Sequence, residues 1–154
     1  MIFPLLFFSA SFASCDKDGS APGNPNVANN NNNNPNPTGR QMRIKIGTRT
    51  FTAILYGNAT ATAFKALLPL TLNMSELNGN EKFFDLAASL LVNAANPGTI
   101  QTGDLMLYGS KTLVLFYKSF PTSYNYTKLG RIQDVAGLTA ALGSGNVKIT
   151  FEVE

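Results

Sequence analysis

The chain has 154 residues, a formal net charge of +3, a single cysteine, and neither histidine nor tryptophan. Imidazole acid–base catalysis and imidazole-ligated metal sites are therefore excluded, and one cysteine leaves no intrachain disulfide. From Arg40 onward eleven Lys and Arg are scattered among seven Asp and Glu, without the basic stripe that nucleic acid requires, so no nucleic-acid partner is expected.

Residues 1–15, ending FFSASFASC, form an apolar run of signal-peptide length, too short to span a bilayer. The small residues before Cys15 resemble a bacterial lipobox, in which the signal is cleaved and the cysteine lipidated. Two departures are Phe12, where an aliphatic residue is usual, and the missing basic start, which suggests a true start codon further upstream. The alternative is a buried N-terminal element with an ordinary core cysteine. Residues 16–40 are rich in Asn, Pro and Gly and have almost no large apolar side chain. Such a segment buries too little surface to offset the entropy of ordering, so a flexible tether is expected. The DKD behind Cys15 resembles the export signals of surface lipoproteins in Bacteroidetes. The expected partner of this part is a membrane, reached through the lipid, at the outer membrane, surface or periplasmic face of the cell envelope.

Residues 41–154 are expected to fold as one domain. Arg43 to Ile46 and Arg49 to Tyr56 alternate polar and apolar around Gly47-Thr48, the pattern of a hairpin with one buried side. Gly57-Asn58 ends the second strand. Ala59, Ala63, Phe64, Leu67 and Leu68 then recur at helical spacing until Pro69. Leu70 to Met74 and Glu81 to Phe84 are strand candidates across the turn Asn78-Gly79-Asn80, whereas Ala87 to Val92 reads equally as strand or helical turn. Gly103-Asp104 marks a bulge or turn. Leu105 to Tyr108 and Thr112 to Tyr117 are apolar strands joined by Gly109-Ser110. An aromatic, hydroxyl-rich loop, SFPTSYNYTKLG, leads to a third strand. A short helix over Val135 to Leu142 and a strand over Val147 to Val153 complete the chain. Many short strands, turns and two helices predict a mainly β fold, a closed antiparallel barrel with short helices at its ends.

The segments LYGNATATAFKALLPL, GNEKFFDL, IQTGDLMLYG, LVLFY and TKLGRI together resemble a bacterial cyclophilin-like family over residues 42–154. The resemblance implies an eight-stranded cyclophilin-like β-barrel capped by helices. It leaves function open, because one fold carries many activities. Cyclophilins bind prolyl peptides in an aromatic groove and use an arginine beside the prolyl bond. On that resemblance Tyr117 stands where a groove phenylalanine would be, and Phe116 faces the core. The arginine position offers Lys82 and Glu81, and lysine lacks the planar guanidinium fork.

The candidate binding residues are Glu81, Lys82, Phe83, Tyr117, Tyr124, Tyr126 and Arg131. Glu81 either points into the barrel mouth or pairs with Arg131 or Lys82. Asn58 is expected to cap the first helix rather than contact a ligand. Tyr124, Tyr126, Ser123 and Thr127 either recognise a peptide or sugar or finish the core, and Tyr108 is placed in the core. The sequence shows no metal-ligand cluster, phosphate loop or nucleophile–base pair, so no cofactor and no metal are expected. The expected function is binding of a small molecule or extended peptide at the barrel mouth. The enzyme alternative is a weak peptidyl-prolyl cis/trans isomerase, and a third reading is a structural or adhesion module.

Overall fold

The computed structural model describes residues 40–154. The signal-like segment, the lipidation candidate Cys15 and the tether up to residue 39 lie outside the described residues.

Ten strands and two helices follow in order: β1 (Gln41–Ile46), β2 (Arg49–Leu55), α1 (Ala59–Lys65), β3 (Leu70–Leu77), β4 (Glu81–Asp85), β5 (Thr99–Ile100), β6 (Asp104–Tyr108), β7 (Thr112–Phe116), β8 (Phe120–Pro121), β9 (Thr127–Ile132), α2 (Leu138–Leu142) and β10 (Val147–Val153). Eight of the strands close a barrel in the order β1-β10-β3-β4-β7-β6-β9-β2, while β5 and β8 pair separately. Each ladder is antiparallel. The predicted fold class is the observed one.

Period-2 alternation sets the inner face. In β1, Met42, Ile44 and Ile46 are buried while Arg43 and Lys45 face solvent. Phe51, Ala53 and Leu55 of β2, Leu72 and Met74 of β3, and Ile149 and Phe151 of β10 join the same interior. Full burial of one such large aliphatic or aromatic side chain contributes roughly 1.5–3 kcal/mol. The barrel is thus solid with side chains, and its ends are plugged.

Asn58 starts α1, accepting from the Ala61 N–H at 2.8 Å and donating through Nδ2 to the Lys128 carbonyl at 2.8 Å. It is therefore a cap that also ties the helix to β9. Beneath it Phe64 meets Phe151 edge-on at 6.0 Å between ring centroids. At the opposite end α2 buries Leu138 and Leu142. It is shorter than the predicted Val135–Leu142 because Gly137, at φ 76°, turns the chain in just before it. Ala87–Val92 forms neither of the expected elements: it runs outside any strand or helix, held by Leu90 N–H donating to the Ser110 carbonyl at 2.8 Å.

β6 and β7 differ from the other strands in being apolar on both faces. Leu105, Leu107, Leu113 and Leu115 point into the barrel. Met106, Val114 and Phe116 point outward and form a second cluster with Ile100 and Tyr126, flanked by Phe83 and Phe120. That outer face is covered by the 117–126 loop, which β8 ties to β5 through Thr99↔Pro121 and Ile100↔Phe120. Phe116 is thus buried in a core as expected, though in this outer one, whereas Tyr117, expected in the groove, is buried in the barrel interior. Phe116 lies on the outer wall under the loop, and Tyr117, continuing the ladder through its N–H to the Asn80 carbonyl at 3.0 Å, turns inward. A strand's faces alternate, so a phase error of one residue moves a side chain to the other face of the sheet.

Candidate ligand-binding cleft

The turn at Asn78–Asn80, the outer faces of β4, β6 and β7, and the covering loop enclose a cleft of about 530 Å³. This volume lies within the range typical of small-molecule sites, roughly 300–1,000 Å³. Phe83 and Val114 supply an apolar floor, Phe120 and Pro121 one side, and Tyr108, Tyr124 and Tyr126 the other. The tyrosine rings brace one another: Tyr108 meets Tyr124 edge-on at 6.1 Å and Tyr126 at 5.6 Å. Phe116 supports them from below, 5.5 Å from Tyr126 and 5.7 Å from Phe120. The cleft thus sits on the outer wall and not at a barrel mouth, because the interior and both ends are already filled.

Four of the candidate residues come together here: Glu81, Phe83, Tyr124 and Tyr126. Glu81 is only 9% exposed, and among the described residues its carboxylate has no hydrogen bond or ion pair. Burial pushes its pKa up, and the nearby Glu76 charge adds to the rise. The pairing of Glu81 with Arg131 or Lys82 is corrected: Arg131 Nε lies 3.7 Å from Asp104 Oδ1, one strand away, and does not line the cleft.

Lys82 and Tyr117 do not reach the cleft either. Alternation along β4 sends Lys82 inward, where its side chain is fully buried. Its Nζ donates to Glu76 Oε2, to the Gly143 carbonyl at 2.9 Å and to the Gly145 carbonyl at 2.6 Å, and stands 5.3 Å from the Tyr117 ring centroid. The Tyr117 hydroxyl donates to both Glu76 oxygens, at 2.8 and 2.9 Å. Burial and that hydrogen bond push the phenol pKa up to about 12, so it stays a donor. The triad pins the α2–β10 turn to β3 and β4, closing one barrel end.

Glu76 itself is drawn two ways. Partial burial raises its pKa, but the donors Lys82, Tyr117 and the Gly79 N–H outweigh that and hold it below the usual glutamate value. A carboxylate whose folded pKa is depressed adds stability above its unfolded pKa and loses it as pH falls through the folded one. The stability gap between the native chain and Glu76→Gln is therefore expected to be full at neutral pH and to close on acidification below the ordinary glutamate pKa. Urea unfolding at stepped pH measures it, and a gap independent of pH would contradict the assignment.

Tyr108, Asn80 and Asp85 are among the lining residues that escaped the sequence reading. Tyr108, assigned to the core, is 46% exposed and stands in the cleft wall. The spacing from Met106 places both on the outer face, a signal hidden because that face is apolar too. Asn80 was read only as a turn residue, yet its Oδ1 is buried with no hydrogen-bond partner. Asp85 accepts from the Thr112 hydroxyl at 2.6 Å across the β4–β7 pair. Thr127 lies instead by a neighbouring cleft of about 320 Å³ with Asn58 and Lys128, and its hydroxyl accepts from the Asn93 N–H at 3.0 Å.

A helix-capped, closed antiparallel barrel with an aromatic cleft on its outer wall is the class these features define. The chain belongs to the cyclophilin-like family, whose model matches residues 44–152. Its fold is similar to the solution structure of a hypothetical protein from Archaeoglobus fulgidus, with a TM-score of 0.57 and 19% identity, covering 79% of this chain and 99% of that one. No curated protein matches the chain.

Proposed function

We propose that the domain is a binding module that takes a small molecule or an extended peptide in the outer-wall cleft without chemistry on it, held at the cell envelope by lipid on Cys15. The cleft carries this reading: a volume of about 530 Å³, an apolar floor, braced tyrosines with polar tips, and a few inward polar groups. We favour this reading over the isomerase alternative. The latter needs a positive donor beside the prolyl nitrogen, but the Lys82 ammonium is spent inside the barrel, and among the described residues the cleft lining contains carboxylates and no Lys or Arg.

Amide chemical shifts of the full-length chain, titrated with a panel of unstructured hexapeptides that includes a Xaa-Pro member, test the first half. Shifts confined to the neighbourhood of Phe83, Tyr108, Val114 and Tyr124 are expected. Uncatalysed prolyl exchange takes tens to hundreds of seconds, so new exchange peaks at substoichiometric protein would establish the isomerase reading instead. Absence of any shift would overturn peptide binding. The anchoring half predicts palmitate incorporation in a bacterial host that is lost in Cys15→Ser, and label retained in that variant would remove it.

A further inference from the structure

Taking the cleft to be a binding site, as proposed above, we infer that the group it selects is an organic cation, an alkylammonium or guanidinium, seated between the Glu81 carboxylate and the tyrosine wall. Three independent features of the lining point the same way. First, Glu81 is nine-tenths buried and faces the cleft with neither hydrogen bond nor ion pair among the described residues. Its oxygens keep some contact with water, the fully buried unpartnered atom here being Asn80 Oδ1. A carboxylate short of both water and a protein partner is nonetheless one that a bound cation would stabilise. The rise in its pKa through burial expresses the same shortage.

Second, the hydrogen-bonding groups beside it want donors. Asn80 Oδ1 is buried and unpartnered one residue away, and Asp85 has only the Thr112 hydroxyl. The chain as a whole is positive, at +3, yet among the described residues no Lys or Arg lines this cleft. Lys82, adjacent in sequence to Glu81, is turned to the other side of the sheet and held there by Glu76. The local field in the cleft is therefore negative against the charge of the whole molecule.

Third, Tyr108, Tyr124 and Tyr126 form a fixed aromatic corner in the same cleft, braced ring against ring. Aromatic faces attract cations by roughly 0.5–2 kcal/mol according to desolvation. A carboxylate and ring faces lining one cleft suit a cation with apolar substituents and leave a simple metal ion poorly served. The same chemistry is presented by an arginine or lysine side chain of an extended peptide and by a free organic amine.

The test titrates the full-length chain, followed by amide shifts, with a capped alanine pentapeptide bearing a central arginine, with its citrulline counterpart, and with free benzylammonium against benzyl alcohol. The arginine peptide or benzylammonium is expected to bind at least about tenfold tighter than its neutral counterpart, with shifts at Tyr108 and Tyr124. In Glu81→Gln that binding should weaken roughly 10- to 100-fold, the scale of one charge-assisted hydrogen bond. The same spectra report whether the variant is folded, and the citrulline comparison needs no variant. Preference for the peptide identifies a protein side chain as the source, and preference for benzylammonium a free amine. Equal binding of charged and neutral probes would overturn the cation inference while leaving the binding module intact. Shifts from the hexapeptide panel but from none of these probes would do the same, and silence from both sets would remove the binding reading itself.

Discussion

Lys82→Met is expected to lower the unfolding free energy by about 3–5 kcal/mol, the range for removing one partner of a buried ion pair. The buried ammonium serves Glu76 and the carbonyls of Gly143 and Gly145 together. Methionine fills the stem's volume but donates to none of them. Glu76 keeps Tyr117 and the Gly79 N–H, at 2.8 Å, so its loss is partial, whereas the two glycine carbonyls lose a donor they share. The double variant Lys82→Met/Glu76→Leu should recover much of the deficit, because an apolar pair in place of a buried ionic one is often close to neutral. Urea midpoints with an unchanged slope measure both. A loss below about 1 kcal/mol would mean that water reaches the ammonium and the barrel end is looser than the geometry implies. Cleft binding should be indifferent to this variant, since Lys82 lies on the other face.

Phe116→Ala should cost about 3–5 kcal/mol and, unlike Lys82→Met, should also loosen the cleft. Phe116 is fully buried on the outer wall, and its ring contacts both Phe120 and Tyr126. It anchors the covering loop to the sheet. The loop's other ties run largely to the 95–102 segment and not to the barrel sheet: the β5–β8 pairing, Thr102 N–H to Ser119 Oγ at 2.9 Å, Thr122 N–H to the Gly98 carbonyl at 2.9 Å, and the reciprocal pair between Ala95 and Tyr126 at 3.0 Å. Hydrogen exchange at Thr122 and Tyr126 should accelerate beyond the global destabilisation, while amides in β1 and β10 follow the global change. Uniform acceleration across the barrel would show that the loop is no separate unit.

The placing of Tyr117 in the barrel interior shows where sequence reasoning stops. In β1 and β2 one face meets water, so the alternation of Arg43 and Lys45 with Met42, Ile44 and Ile46 reveals which side is in. In β6 and β7 the loop covers the outer face, both faces are apolar, and the phase is erased. Every lining residue was visible as a letter, yet Tyr108 and Tyr117 changed places between core and cleft for that reason.

The sequence by itself determined what depends on neighbours along the chain. Polar–apolar alternation and Gly-containing turns dictated the strands, Asn58 the cap of α1, and the number and shortness of the elements a closed barrel. The tertiary structure alone decided what depends on residues far apart. The β5–β8 pairing joins Thr99 and Ile100 to Phe120 and Pro121, and it makes a cleft roof from a loop with no periodicity of its own. Adjacent letters, Glu81 and Lys82, part to opposite sides of a sheet, one into a cleft without a partner and the other into a ring of acceptors. A charge gains its meaning from what the fold sets against it, and that is settled by strand phase and closure.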